Sequence, residues 1–187
     1  PEGTLRRMIG SGRLGSLILW GPPGTGKTTV ARLLADATDY RFEQISAIFS
    51  GVADLKKVFE TARTARRAGQ RTLLFVDEIH RFNRAQQDSF LPVMEDGTVV
   101  LIGATTENPS FELNAALLSR AQVLTFQSLS REDLEALVKR AETEIGRALP
   151  LDEDARETLI SLADGDGRAM LGLVEEIDAA TGPQDML

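Results

Sequence analysis

The stretch SLILWGPPGTGKTT, Ser16 to Thr29, decides the reading of this chain. An apolar run of strand length breaks abruptly into glycine and proline, and then becomes a lysine-led segment with helical character. Gly21, Gly26, Lys27 and Thr28 satisfy the spacing G-x-x-x-x-G-K-[ST], and the flanks are the ones that give the pattern meaning, a strand before it and a helix after it. Glycines let successive backbone N–H groups turn inward, and a helix amino terminus adds a favourable dipole for an anion. The whole segment Gly21, Pro22, Pro23, Gly24, Thr25, Gly26, Lys27, Thr28 and Thr29 is therefore a candidate phosphate cradle. In it Lys27 would reach the β and γ phosphates of a nucleotide and the Thr28 hydroxyl would ligate Mg²⁺.

A second stretch supplies what that loop needs. In LLFVDEIHRF, Leu73 to Phe82, an apolar run reads as a strand buried on both faces and ends in two carboxylates. A nucleotide phosphate brings a metal, and a metal calls for a carboxylate, which Asp77 provides at the strand end. Glu78 is then left to polarise an attacking water. The single histidine, His80, is read as a packing residue or a surface hydrogen-bonding group, with no catalytic role. DEIH also resembles the DExH signature of certain helicases, which makes such a motor a rival reading.

Composition sets the frame. The chain has 187 residues, enough for one to two domains, with 42% hydrophobic and 26% charged residues, as in an ordinary α/β protein. It contains no cysteine, so disulfides and thiolate metal sites are excluded, and a single histidine argues against a zinc site. A net charge of -7 and a pI near 4.9 argue against a broadly basic nucleic-acid surface. Arg63, Arg66, Arg67 and Arg71 form one local basic cluster, whose plain reading is a solvated helix end. No apolar run approaches membrane-span length. The amino terminus carries no signal-type segment and no starting methionine, which reads as a processed chain or an excised piece of a longer one.

Strands are expected near Ser16–Trp20, Arg41–Ile45, Thr72–Val76, Val99–Ala104 and Val123–Phe126, with helical segments between most of them. Strand–helix alternation implies a five-stranded, mainly parallel sheet between helices. From about Ser128 the β signal ends. Ser130 with Asp133 makes a capping-box pattern, and Leu134, Leu137, Val138, Ala141 and Ile145 recur at helical spacing. Further helices are expected around Ala155–Ala163 and from Gly167, the latter with Asp166 as N-cap and Met170, Leu171, Val174 and Ile177 on its packed face. The expected organisation is an α/β nucleotide-binding core over residues 1–127 and a small helical domain over 128–187. In AIFSGV, Ala47 to Val52, burial is the expected fate of the Ile48–Phe49 pair, with contact of Phe49 to DNA the alternative.

GPPGTGKTT with LLFVDEIHRFN resembles the AAA+ ATPases. RFNRAQQDSFLPVMEDGTVVLIGATTENPSFELNAALLSR, Arg81 to Arg120, narrows the similarity to the replication-associated recombination protein A family, related to clamp loaders and including the Werner-helicase-interacting ATPase of eukaryotes. The resemblance implies a P-loop AAA+ core followed by a helical lid, truncated here at its carboxyl end. It places Lys27 and Thr28 at the Walker A positions, Asp77 at the metal-associated Walker B position and Glu78 at the water-activating one. In GATTEN it implies a sensor 1 residue, Thr106, with Thr105 the fallback. ALLSR resembles the Ser-Arg motif in which an arginine, here Arg120, reaches the nucleotide of a neighbouring subunit. GDGRAMLGLVE resembles sensor 2, with Arg168 touching nucleotide from the lid.

What the resemblance implies for function is Mg²⁺-dependent ATP hydrolysis to ADP in a DNA replication, recombination and repair protein acting at stalled forks or DNA ends. The implied partners are DNA with single-stranded regions, junctions or ends, replication proteins such as single-strand-binding protein, and further copies of the chain in a homo-oligomer. No membrane is implied, and the location is cytoplasmic, with the nucleoid. The family's upstream adenine-cradling segment and downstream oligomerising region are largely missing from the sequence, so weak turnover is expected of this stretch alone. A nucleotide-gated module that recruits DNA or replication proteins is the alternative from another class. A small-molecule kinase would have no use for the Arg120 and Arg168 motifs.

Overall fold

The computed structural model describes residues 3–181. The described residues divide into two compact units, one comprising residues 3–21 and 27–126, the other 22–26 and 127–181.

The first unit is built on a five-stranded sheet: β1 (Leu17–Trp20), β2 (Arg41–Ser46), β3 (Thr72–Asp77), β4 (Val99–Thr105) and β5 (Gln122–Thr125). The spatial order is β2-β3-β4-β1-β5, and every pairing is parallel. Helices α1 (Thr4–Ser11), α2 (Lys27–Thr38), α3 (Val52–Arg67), α4 (Arg84–Asp88), α5 (Phe90–Glu95), α6 (Pro109–Glu112) and α7 (Ala115–Leu118) complete it, with a 3₁₀ turn at Ile79–Arg81. The five strands fall where the periodicity places them, within one or two residues at each end.

Apolar runs form this sheet because both of its faces are covered. Successive side chains of a strand alternate between faces. Thus Leu17, Leu19, Leu73, Phe75, Ile102 and Ala104 pack with Ala31, Leu34 and Ala35 of α2 on one side. Ile18, Leu74, Val76 and Leu101 pack with Leu55 and Phe59 of α3 and Phe90 and Val93 of α5 on the other. Continuous hydrophobicity, rather than alternation, is the signature of such a doubly covered parallel sheet.

The order also fixes where ligands approach. From β1 the chain crosses to the β2 edge, whereas from β4 it crosses to β5 on the opposite side, so the connections diverge at the carboxyl ends of neighbouring β1 and β4. Crevices at such points are the ligand sites of open α/β sheets.

Past β5 the second unit is helical, with α8 (Arg131–Ile145), α9 (Glu153–Ala163) and α10 (Gly167–Ala180). Ser130 caps α8 reciprocally with Asp133, and Asp166 caps α10 by accepting from the amides of Arg168 and Ala169. Leu134, Val138, Leu159, Ile160, Met170 and Val174 form its core. One expected member is replaced. Leu171 is exposed, and Leu173 packs inward instead, because residues 170, 173, 174 and 177 share one helical face while 171 lies about 100° away. Among the described residues, no helix is long and apolar enough to cross a membrane.

Candidate nucleotide site

The loop that opens α2 is a closed turn held by its own atoms. Lys27 is buried at the first position of α2, and its Nζ donates to the Gly21 carbonyl across 2.7 Å. The Gly21 amide in turn donates to the carbonyl of Thr105 at the end of β4, 3.1 Å, so the loop starts at the point where the connections diverge. Thr25 Oγ1 donates to the Pro22 carbonyl at 2.9 Å. Geometry requires the loop's glycines, Gly21, Gly24 and Gly26, the second of which has φ +69. A Cβ on Gly21 would lie 2.3 Å from the Phe126 carbonyl oxygen, and Gly26 has φ +90, a conformation costly for residues with a side chain. Thr28 is half-buried one residue into the helix, and Thr29 is exposed.

Within the second unit the Gly167 amide donates to the Gly24 carbonyl across 2.9 Å. Arg168 follows directly, its amide held by Asp166 at 2.8 Å and its residue exposed.

At the end of β3, Asp77 and Glu78 are both partly exposed. Asp77 Oδ1 accepts from the Glu78 amide at 3.0 Å, and the Asp77 carbonyl accepts from Ala47. Glu78 occupies the left-handed region, φ 54 and ψ 40, which is rare for a residue with a side chain and is a form of strain concentrated at functional positions. Its Oε2 lies 3.3 Å from His80 Nε2.

His80 is a packed, hydrogen-bonding residue, as its plain reading has it. Its side chain is only 6% exposed, and its Nδ1 lies 2.9 Å from Thr105 Oγ1. Thr105, the last residue of β4, is buried, and its hydroxyl also meets the amide and carbonyl of Glu107. The structure thus joins Thr105, the fallback of the sensor pair, to the Glu78 neighbourhood, while Thr106 stands half-buried just past the strand. The signal available beforehand was the coincidence of a lone histidine two residues after a strand-end glutamate.

Arg120 lies elsewhere. It follows α7, and its Nε donates to Glu95 Oε1 at 2.7 Å, while Nη1 donates to the Ala116 carbonyl at 2.9 Å. With Glu95 it shares a depression with Ser16, Thr72 and Val99, all at or before the amino-terminal ends of their strands. The phosphate loop and Asp77 leave the opposite, carboxyl-terminal ends.

The expected burial of Ile48 and Phe49 is not found. They are 56% and 86% exposed, whereas Ala47 is buried. β2 is an edge strand, and it ends at Ser46 in a turn closed by the Phe49 amide on the Ser46 carbonyl, so the alternation that would bury every second residue stops there. In the basic cluster, Arg66 pairs with Asp96 at 3.7 Å and Arg71 lies over the Tyr40 ring at 4.4 Å, as a solvated helix end would.

A parallel sheet whose first strand runs through a glycine loop into a helix, with a carboxylate pair ending a nearby strand, defines a phosphate-loop nucleotide-binding protein. The model of the ATPase family associated with various cellular activities (AAA) matches residues 17–129, and the chain belongs to that family.

It is similar to replication-associated recombination protein A of Escherichia coli K12, 51% identical over 176 residues that make up 91% of this chain and 39% of that protein. Similarity to ATPase WRNIP1 of Dictyostelium discoideum is 47% over 175 residues, 91% of this chain and 20% of the relative. The chain therefore spans about two fifths of the length of its bacterial relatives. Among solved structures, the RuvB Holliday junction branch migration motor of Thermotoga maritima superposes with a TM-score of 0.74 at 25% identity, over 95% of this chain and 60% of RuvB.

Proposed function

We propose that this chain is the ATP-binding and ATP-hydrolysing module of a DNA replication and recombination maintenance protein acting at stalled forks or DNA ends. The observation that carries the reading is the convergence, at the carboxyl ends of β1, β3 and β4, of the Lys27 loop, Asp77 and a conformationally strained Glu78. The names of the relatives, which speak of replication and recombination, supply the biological setting.

In this reading the loop amides from Gly21 to Thr29 and the Lys27 ammonium hold the phosphates, Lys27 exchanging its Gly21 contact for phosphate oxygens. The donor set suits a small hard cation that arrives with the nucleotide. Thr28 and Asp77 offer a hydroxyl and a carboxylate, Mg²⁺ commonly binds through one or two carboxylates plus substrate phosphates and water, and no cluster of three or more acidic, His or Cys ligands exists among the described residues. Such a cation neutralises charge on the phosphate oxygens.

Glu78 accepts a proton from the attacking water, whose oxygen bonds to the γ phosphorus as the bond to the bridging oxygen of ADP breaks. Thr106 orients that water. Arg120 cannot serve its own chain's nucleotide from the far end of the strands, so it acts on a neighbour's in a homo-oligomer. In the same reading the helical segment serves as a lid and Arg168 is its nucleotide-sensing residue. Single-stranded or junction DNA, with single-strand-binding protein among the replication partners, is the substrate surface, and the site of action is the bacterial nucleoid in the cytoplasm.

Steady-state ATP hydrolysis with Mg²⁺ by the full-length protein, with and without DNA bearing single-stranded regions and junctions, tests this, with Lys27→Ala as the control. Stimulation by DNA is expected. Slow turnover indifferent to every DNA would overturn the DNA-coupled reading and favour a nucleotide-gated recruiter.

A further inference from the structure

The lone histidine is buried between two strand ends, hydrogen-bonded at Nδ1 and within 3.3 Å of the Glu78 carboxylate at Nε2, and assigned nothing by the mechanism above. Counting hydrogens shows what it does. Thr105 Oγ1 has a single proton and three polar neighbours, His80 Nδ1 at 2.9 Å, the Glu107 amide at 3.0 Å and the Glu107 carbonyl at 3.2 Å. The amide donates to Oγ1, which leaves the hydroxyl proton to Nδ1 or to the carbonyl.

If the hydroxyl donates to Nδ1, the neutral ring carries its proton on Nε2. If it donates to the Glu107 carbonyl, Nδ1 must be the donor to Oγ1. A neutral ring would then set an Nε2 lone pair against the Glu78 carboxylate, which disfavours this second arrangement. The first arrangement puts a hydrogen on Nε2, which lies 3.3 Å from Glu78 Oε2, an electrostatic contact looser than an aligned hydrogen bond.

We propose that His80 is a positioning residue, which through Nε2–H fixes one oxygen of the Glu78 carboxylate and is itself oriented by Thr105. The backbone supports the same conclusion. Glu78 is held at φ 54, and its side chain is about a quarter exposed, so without a tether the carboxylate would sample several rotamers in water. One oxygen held by His80 leaves the other for the attacking water. The tether also joins the end of β3 to the end of β4, since Thr105 is the last residue of that strand and its carbonyl accepts from Gly21, where the phosphate loop begins.

This inference rests on the reading of Glu78 as the water-activating group, and the test separates the two. The amide nitrogen of glutamine can occupy the place of imidazole Nε2, whereas asparagine reaches only the place of Nδ1. The purified protein and its His80→Gln, His80→Asn, Glu78→Gln and Glu78→Gln/His80→Asn variants are compared for kcat, nucleotide Kd and Tm.

His80→Gln is expected to keep turnover within about threefold and His80→Asn to lose roughly tenfold or more, a part of the 10²–10⁴ that a general base contributes. Nucleotide affinity should stay within about twofold in both, and the double variant should be no slower than Glu78→Gln alone, because residues acting as a unit are non-additive. Wild-type turnover in His80→Asn, equal losses in the Gln and Asn variants, or a further loss in the double variant would overturn the positioning role. Wild-type turnover in Glu78→Gln would remove the base assignment itself, and the tether's purpose with it.

Discussion

Arg120 and Glu95 are ion-paired at the amino-terminal edge of the parallel sheet, Nε to Oε1 at 2.7 Å. The phosphate loop leaves the other edge, about 17 Å away along a six-residue strand such as Thr72–Asp77. A guanidinium so placed has no route to its own chain's nucleotide, and for any work on a neighbour's it must first exchange Glu95 for a phosphate.

Arg120→Ala should consequently leave nucleotide affinity unchanged while lowering turnover by about 10³ or more, the scale of an arginine finger. Mixing gives the sharper result. Arg120→Ala protein binds nucleotide without a finger, and Lys27→Ala protein carries a finger without nucleotide, so equal amounts together should hydrolyse faster than either alone. A mixture no faster than the sum of its parts would exclude action between copies.

Lys27→Ala and Glu78→Gln should separate binding from chemistry. The first removes the charge at the centre of the loop and should abolish nucleotide binding by calorimetric titration. The second keeps the shape of the side chain and should bind nucleotide normally while turning it over at least about 10² more slowly.

Gly21→Ala tests the close approach on which the loop depends. Its Cβ would fall 2.3 Å from a backbone oxygen, which cannot rotate away. A loss of about 1–3 kcal/mol in chemical denaturation is expected, the range of overpacked sites, together with weaker nucleotide binding. Gly26→Ala meets no neighbour and should lose through conformation alone.

Phe49→Ala should change stability by no more than about 0.5 kcal/mol, since the ring is almost wholly exposed. Its effect is expected in function, as reduced stimulation of hydrolysis by single-stranded DNA with the basal rate intact, because an exposed aromatic face is a stacking platform for bases. Equal stimulation of the variant and the wild type would remove Phe49 from the DNA surface.

Much of the sheet was legible in the residues because the signals are local. Leu73–Val76 and Leu17–Trp20 are apolar without alternation, which only a strand covered on both faces explains at that length. Ser130 with Asp133, and Asp166 ahead of Arg168, announce helix starts through bonds that span three residues or fewer. Leu171 was misplaced by the same kind of reasoning, since five apolar residues compete for one face of α10 and the choice between 171 and 173 depends on helical phase.

The chain's residues by themselves determined that there would be a phosphate loop between strand and helix, a carboxylate pair at a strand end and a helical segment beyond the sheet, since each is written in contiguous residues. Tertiary structure alone decided the rest. The order β2-β3-β4-β1-β5 brings Thr105 to His80 across 25 positions of chain, sends Arg120 to the opposite edge from Lys27, and leaves Phe49 beyond the end of an edge strand. The physical reason is that parallel strands pair through long crossovers, so which ends become neighbours depends on packing of both sheet faces at once, and no local pattern encodes it.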